Sequence, residues 1–202
     1  MKIVEQKVEL IFASPDIELN IELAGRTCYK SEANISDESA AKFCRSLVKS
    51  GHHAMIEFGV ACFRITTDKG ITHEIVRHRL ASYAQESTRW VNYTKDQFGG
   101  HLSFVAPLGL DPDQAFIWED SMKLAESAYF KMVEYGCKPQ QARDVLPHSL
   151  KTEIVMMMNM RELRHFISLR AAPDAHPKIQ FIAKEIHAIM LIMAPTLFED
   201  LL

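Results

Sequence analysis

Hydrophobic and polar positions along the chain predict strands and helices mixed without regular alternation. Alternating Val and Ile residues predict a strand over 2–12, and similar patterns predict strands over 58–67 and 101–107. An apolar run bounded by polar residues predicts a buried strand around 150–158. This mixture favours an α+β fold, and a length of 202 residues favours a single domain over 1–202.

Helices are predicted wherever apolar residues recur at helical spacing between start and stop signals. Ser14 and Pro15 have the form of an N-cap followed by a first helical residue, so a helix is expected to continue to about Cys28. Residues 17–23 also alternate like a strand, but the start signal favours the helix. The other predicted helices lie at 37–50, 70–77, 111–136, 139–145, 160–170 and from 179 to near Pro195.

Composition and charge narrow the class of protein. Lys and Arg total 23 against 26 Asp and Glu, which argues against a general nucleic-acid binder because such proteins usually carry a basic excess. The four cysteines form no C-x-x-C pair, so we expect reduced thiols and a cytoplasmic location rather than a zinc or disulfide scaffold. The first residues show no signal-peptide core, and no apolar run is long enough to predict a membrane span.

The segment RHRLASYAQESTRW, residues 77–90, concentrates cations and hydrogen-bonding groups. Arginine suits phosphate and carboxylate recognition because its planar guanidinium donates paired hydrogen bonds and keeps its charge. A second group of cationic residues follows later in the chain: Arg143, Arg161, Arg164, His165 and Arg170. The two segments together suggest an anion site, although an arginine-rich stretch is also typical of a solvated surface.

Other kinds of site are less well supported. His52 and His53 are adjacent, and His73 and His78 are five apart, so neither pair has the spacing of a zinc-binding helix and no metal is expected. The common nucleotide-binding motifs G-x-G-x-x-G and G-x-x-x-x-G-K-[ST] are absent. Ser87 lacks the G-x-S-x-G context of a hydrolase nucleophile.

The arginine-rich segment matches the pattern R-H-R-x-x-S-x-x-x-x-S-x-R, which resembles the signature of the flavin-dependent thymidylate synthase (ThyX) family. The resemblance covers roughly residues 50–180. Its other matching positions are Gly51, His52, Glu57, Ala142, Arg143, Leu146, Pro147, Asn159, Arg161, His165, Leu169, Arg170, His176, Pro177 and Ile179.

The resemblance implies a fold with helices packed around a mixed sheet and a homotetramer whose active sites are shared between subunits. It implies a methyltransferase that converts dUMP to dTMP. The carbon would come from 5,10-methylenetetrahydrofolate, and the hydride from FAD reduced by NADPH. It implies no nucleic-acid or membrane partner.

The family pattern also assigns roles to residues. Arg170 would be catalytic, stabilising negative charge on the uracil, and Ser87 would hold dUMP rather than attack it. Residues implied to bind dUMP are Glu74, Arg77, Gln85, Glu86, Ser87, Arg89, Arg143 and Arg170. Residues implied to bind FAD are Arg77, His78, Arg79, Gln85, Asn159, Arg161 and His165. His52 is assigned to the folate or NADPH side.

The chain departs from the family pattern at several positions. Ala84 and Gln85 stand where Asn and Glu are common, with a carboxylate one residue later at Glu86. The remaining departures are Glu74 for Gln, Phe58 for His and Trp90 for Tyr. These differences leave open an alternative, a relative that binds FAD and dUMP without efficient turnover.

Overall fold

The computed structural model describes all 202 residues and contains six strands and seven α-helices. The strands are Lys2–Ile3 (β1), Lys7–Ala13 (β2), Val60–Asp68 (β3), Ala81–Gln85 (β4), Ser103–Phe104 (β5) and Lys151–Asn159 (β6). The helices are Ile17–Thr27 (α1), Ser39–Lys49 (α2), Lys69–Ile75 (α3), Pro112–Glu134 (α4), Pro139–Ala142 (α5), Met160–Arg170 (α6) and Pro177–Met193 (α7). Short 3-10 turns lie at Glu32–Asn34, Met55–Phe58, Asp96–Phe98, Arg143–Val145 and Pro195–Leu197.

The strands form two sheets. β1 and β5 pair in parallel, with Lys2 opposite Ser103 and Ile3 opposite Phe104. The second sheet has four strands in the order β2-β3-β6-β4. Because β2 and β3 are the only consecutive strands that are neighbours in this sheet and helices intervene irregularly, the predicted α+β class is confirmed.

The strand that the sequence pattern missed is β4, which lies inside the arginine-rich segment. Its residues Ala81 and Tyr83 are half-buried, whereas Ser82, Ala84 and Gln85 are exposed. Such a short and polar strand has too few apolar positions to show a period of two. β4 is a strand because it pairs with β6, which is distant from it in the sequence.

The start of α1 differs from the prediction that Ser14 is its N-cap. The Ser14 hydroxyl accepts a hydrogen bond from the Val60 amide at 3.1 Å, and the Ser14 amide donates to the Val60 carbonyl at 2.9 Å. Asp16 is the residue that flanks the helix, with a φ of 45° and no capping hydrogen bond from its side chain. The prediction was wrong because contacts with β3 engage the serine.

Two helices near the arginine-rich residues begin at side-chain caps. The Asp68 carboxylate accepts from the Ile71 amide at 2.8 Å, which fixes the start of α3 at the end of β3. The Asn159 side chain accepts from the Glu162 amide at 2.9 Å and fixes the start of α6 at the end of β6. Both helices therefore continue directly from strands of the four-stranded sheet.

Contacts divide the chain into two compact units. Unit 1 comprises residues 1–7, 65–77 and 84–154. Its core is built around β5, α4 and the start of β6 from Tyr93, Leu102, Phe104, Met122, Tyr129, Ala142 and Leu150.

Unit 2 comprises residues 8–64, 78–83 and 155–202. Its helices α6 and α7 contribute a large share of its core, with Leu163, Phe166, Ile167, Ile179, Ile182, Ile186 and Met190 fully buried. None of the helices in the chain combines the length and apolar character that a membrane span requires. The expectation of a single domain stays a prediction.

Candidate active site

The boundary between the two units crosses the arginine-rich segment, so the expected site residues are described for each unit separately. Unit 1 contains Glu74, Arg77, Gln85, Glu86, Ser87, Arg89 and Arg143. Unit 2 contains His52, His78, Arg79, Asn159, Arg161, His165 and Arg170.

In unit 1, hydrogen bonds orient the side-chain amide of Gln85. Its Nε2 donates to the hydroxyl of Thr72 at 2.9 Å and to that of Thr152 at 3.4 Å. The Thr72 hydroxyl donates its single proton to the Lys69 carbonyl at 3.0 Å. Its oxygen can therefore only accept a hydrogen bond from Gln85. The amide nitrogen of Gln85 therefore faces the two threonines.

Glu86 is held inside unit 1 by its side chain and its backbone. The Tyr93 hydroxyl donates to its carboxylate at 2.6 Å, and Lys151 Nζ donates at 3.3 Å. Its amide donates to the Glu153 carbonyl at 2.9 Å. Burial and the negative charge of Glu86 raise the pKa of Tyr93, so the tyrosine remains a neutral donor.

Ser87 and Arg89 lie in a turn that follows β4. The Ser87 hydroxyl accepts from the Arg89 amide at 3.3 Å, and its carbonyl accepts from the amides of Trp90 and Val91. The guanidinium carbon of Arg89 lies 5.0 Å from the centre of a Trp90 ring, a cation–π distance, and both side chains are exposed. The turn thus presents a hydroxyl and a cation together.

Lys69 is a cationic residue of unit 1 that the sequence analysis missed. Its Nζ donates to the Glu86 carbonyl at 3.0 Å. Burial lowers the pKa of Lys69, the negative charge of Glu86 partly opposes this, and the smaller effect of Arg143 lowers the pKa further. A half-buried lysine whose pKa is lowered by burial is a candidate contact for an anion, because an anion would offset the cost of burying its charge. Since Lys69 lies outside the motif, only the structure associates it with Arg143.

Two expected arginines of the first segment are open to solvent. Arg77 follows α3 in unit 1, and Arg79 lies in unit 2 before β4. Arg143 of unit 1 opens the 3-10 turn after the buried Ala142 and is also exposed. Glu74, on α3, is half-buried.

In unit 2, His78 lies between a carboxylate and a guanidinium. The imidazole is buried, with Nδ1 3.0 Å from Oε1 of Glu162 and Nε2 accepting from Nε of Arg170 at 3.1 Å. Because arginine has no acceptor, Nε2 must carry the lone pair and Nδ1 the proton. Burial lowers the pKa of His78, the hydrogen bond to Glu162 opposes this, and Arg170 favours the neutral ring. Sequence analysis missed Glu162, which lies outside the family pattern.

The same residues form a cluster that resembles a metal site. His78, Glu162 and the exposed His165 each place one ligand atom within 4.8 Å of the others. However, both ring nitrogens of His78 are already hydrogen-bonded, one of them to a cation. A metal ion would have to displace the Arg170 contact and lie beside its positive charge, so the donor set fits hydrogen bonding better than metal binding.

The remaining expected residues of α6 have distinct partners. Arg161 is exposed and forms an ion pair of 2.7 Å with Glu57, another position of the family pattern. Arg164 is buried and binds the Leu197 carbonyl and the Asp200 carboxylate. Arg164 therefore stabilises the end of the chain and does not reach solvent as part of an anion site.

His52 borders a cavity of about 490 Å³ in unit 2. Apolar and aromatic side chains dominate its wall, including Phe43, Leu47 and Met55, and the exposed Tyr29 lies at its edge. Apolar walls with a few polar groups are usual for sites that bind flat organic rings.

The chain resembles known proteins over most of its length. The family model described as "Thymidylate synthase complementing protein" matches residues 9–196. The flavin-dependent thymidylate synthase of Geobacter sulfurreducens is 32% identical over 203 residues, covering 96% of this chain and 86% of that protein. That of Mycolicibacterium gilvum is 31% identical over 217 residues, covering 93% and 84%.

A solved structure supports the fold. The UMP/dUMP methylase PolB from Streptomyces cacaoi, bound with 5-Br dUMP, superposes with a TM-score of 0.84 at 22% identity. The superposition covers 98% of this chain and 96% of that one.

The α+β fold and its exposed and half-buried cations define a protein with the groups needed to bind anionic ligands. More specifically, the chain belongs to the flavin-dependent thymidylate synthase family.

Proposed function

We propose that this protein is a flavin-dependent thymidylate synthase, a methyltransferase that converts dUMP to dTMP. The carbon donor is 5,10-methylenetetrahydrofolate, and the hydride comes from FAD reduced by NADPH. Family membership supports the reaction. The observation that best supports an anionic nucleotide is the set of cations in unit 1, the exposed Arg89 and Arg143 and the half-buried Lys69, whose pKa is lowered by burial.

The cations of unit 1 suit the phosphate of dUMP. Arg89 and Arg143 are exposed and can donate paired hydrogen bonds to phosphate oxygens. Lys69 adds a further positive charge. Burial makes this charge unfavourable, and a bound phosphate would offset that cost. The Ser87 hydroxyl, in the same turn as Arg89, donates a hydrogen bond to the nucleotide and is not a nucleophile. Glu74, Arg77, Gln85 and Glu86 complete the proposed dUMP group.

Arg170 is the proposed catalytic residue for the uracil. A guanidinium near the base stabilises negative charge as N3 loses its proton, and a fixed orientation makes that stabilisation effective. The hydrogen bond from Arg170 Nε to the buried ring of His78 fixes one side of the guanidinium and so limits the directions in which it can turn.

The exposed cations fit a second phosphate-bearing ligand, FAD. Arg77 and Arg79 have the charge for its pyrophosphate, and His165 and Asn159 offer hydrogen-bonding groups. Arg161 keeps free donors besides its contact with Glu57. His78 and Gln85 complete the proposed FAD group. Bound FAD supplies the hydride, while the protein orients it and excludes water.

The His52 cavity is the proposed place for a folate or nicotinamide ring. Its aromatic and apolar wall would pack against a flat ring, and His52 would contribute a polar contact.

We also propose a homotetramer in the cytoplasm. Unit 1 exposes Phe116, Ile117 and Leu124 on α4, and unit 2 exposes Ile192 on α7. Large exposed apolar groups on helices are typical of subunit interfaces. All four cysteines are free thiols, which suits a reducing compartment.

Tritium release from 5-tritiated dUMP, with folate and NADPH present, tests the reaction. We expect release by the FAD-loaded protein and a loss of at least about 100-fold for Arg170→Ala, the usual scale for a preorganised electrostatic group. Arg64→Ala, which removes an exposed arginine of β3, serves as the control. Absence of release from folded, flavin-loaded protein would reject the synthase.

The alternative is a relative that binds FAD and dUMP without efficient turnover, and the neutral Gln85 favours it. In that case dUMP would perturb the absorption spectrum of bound flavin but no tritium would be released. Running both measurements on one preparation separates the two functions.

A further inference from the structure

A buried series of contacts in unit 2 links Glu162 to Arg170 through the ring of His78. The carboxylate and ring nitrogen are 3.0 Å apart, and the ring and guanidinium nitrogens are 3.1 Å apart. His78 is 5% exposed and Glu162 is 8% exposed, so water competes little for the contact between them, while Arg170 is half-buried. Neither the family pattern nor the proposed dUMP and FAD groups include Glu162.

We propose that Glu162 is a positioning residue that orients the guanidinium of Arg170 by fixing the tautomer of His78. Nε–H of Arg170 needs an acceptor, and Nε2 of His78 is one only when Nδ1 carries the proton. An ionised carboxylate only accepts, so Glu162 selects that tautomer. Only the assignment of Arg170 to dUMP rests on the proposed function.

Packing on the ring and a hydrogen bond to the backbone hold His78 in place. Phe166 packs edge-on against His78 with ring centres 4.9 Å apart, and the Tyr83 hydroxyl donates to the His78 carbonyl at 2.7 Å. Asn159 caps the turn of α6 that carries Glu162. The backbone of Glu162 is therefore held in place while its carboxylate contacts Nδ1 of the His78 ring.

Protonation of His78 would break this arrangement because Nε2–H would then face Nε–H of Arg170. The charged and titratable groups around the ring are Glu162 and His165 of α6, Arg170 at the end of α6, and Tyr83 of β4. Glu162 is the only anion among them, so it favours the imidazolium while Arg170 and His165 oppose it. Removing the charge of Glu162 should shift the titration of His78 to lower pH.

NMR of ¹⁵N-histidine-labelled, full-length protein reads the tautomer directly and needs no turnover. At about pH 7.5, above the ordinary pKa of histidine, we expect a protonated Nδ1 and an unprotonated Nε2 for His78, assigned with His78→Asn. Glu162→Leu should lose this signature, and Glu162→Gln should retain much of it because its amide oxygen can accept. Glu185→Gln, an exposed change on α7, is the matched control. A His78 that carries its proton on Nε2, or on both nitrogens, would overturn the proposal.

Binding of dUMP to the FAD-loaded protein tests the consequence for Arg170. We expect Glu162→Leu to weaken dUMP binding by about 10-fold, the lower end of the scale known for partners that orient metal-bound histidines, with Glu162→Gln closer to wild type. Unchanged dUMP affinity in a folded Glu162→Leu protein would refute the positioning role. If Glu162→Leu does not fold, the wild-type tautomer and the lower titration pH of His78 in Glu162→Gln decide the question. Failure of the wild type to bind dUMP would instead reject the proposed function, whatever the tautomer.

Discussion

The Tyr93 hydroxyl donates a hydrogen bond of 2.6 Å to the carboxylate of Glu86 within unit 1. Glu86 is the carboxylate that stands one residue beyond the position where the family pattern commonly has Glu. Because Lys151 also contacts it, both carboxylate oxygens have protein partners. In this arrangement Glu86 stabilises unit 1, and its proposed contact with dUMP would require these bonds to rearrange.

Tyr93→Phe should lower the free energy of unfolding by about 2 kcal/mol, as expected for a hydrogen bond to a charged group. Urea unfolding measures this change. Glu86→Gln should also destabilise the protein, whereas Glu153→Gln should have a smaller effect because that carboxylate is 46% exposed. If Glu86→Gln leaves stability intact but abolishes dUMP binding, Glu86 is a ligand-binding residue instead.

Gln85→Glu should destabilise the chain although it restores the residue common in the family. The new carboxylate would face the Thr72 hydroxyl oxygen, whose proton is given to the Lys69 carbonyl. We expect the free energy of unfolding, measured in urea, to fall by about 1 kcal/mol, because two hydrogen-bond acceptors would then face each other. In the Thr72→Val background the loss should shrink, and an equal loss in both backgrounds would contradict this explanation.

Lys69→Met should weaken dUMP binding and should lower the stability of the ligand-free protein less than Lys151→Met does. Burial makes the charge of Lys69 unfavourable and lowers its pKa, Glu86 offsets part of this effect and Arg143 adds to it, so a bound anion should interact favourably with the lysine. Comparison with Lys151→Met is informative because Lys151 has two carboxylate partners and its removal should destabilise the protein. Equilibrium dialysis with labelled dUMP and urea unfolding measure the two quantities. Unchanged dUMP affinity in Lys69→Met would remove the lysine from the phosphate site.

Stability should rise with pH below about pH 6.5, the ordinary pKa of histidine. Burial lowers the pKa of His78, so the unfolded chain binds more protons than the folded one between the two pKa values. The free energy of unfolding therefore falls as the pH drops toward the folded-state pKa. Urea unfolding between about pH 5 and 7.5 should show a shallower slope for His78→Asn than for wild type, by at most about 1.4 kcal/mol per pH unit. Equal slopes would show that His78 does not contribute to the pH dependence of the free energy of unfolding.

Much of the fold could be predicted from the sequence because its signals are local. Asp111 and Pro112 predicted the start of α4, and the structure shows the Asp111 side chain capping Gln114. Alternate burial along β6, with Thr152, Ile154, Met156 and Met158 inside, places one face of the predicted buried strand in the core. The start of α1 and strand β4 could not be predicted in this way, because sequence-distant partners decide both.

The sequence by itself determined the α+β class, most helices and the arginine-rich pattern that identifies the family, since spacing along the chain carries that information. Only the tertiary structure associated Lys69 with Arg143 and placed Glu162 and Arg170 on either side of His78. Glu162 lies 84 residues from His78 along the chain, so no local pattern connects them. Their partnership follows from burial, because polar groups removed from water require partners and folding determines which ones are within reach.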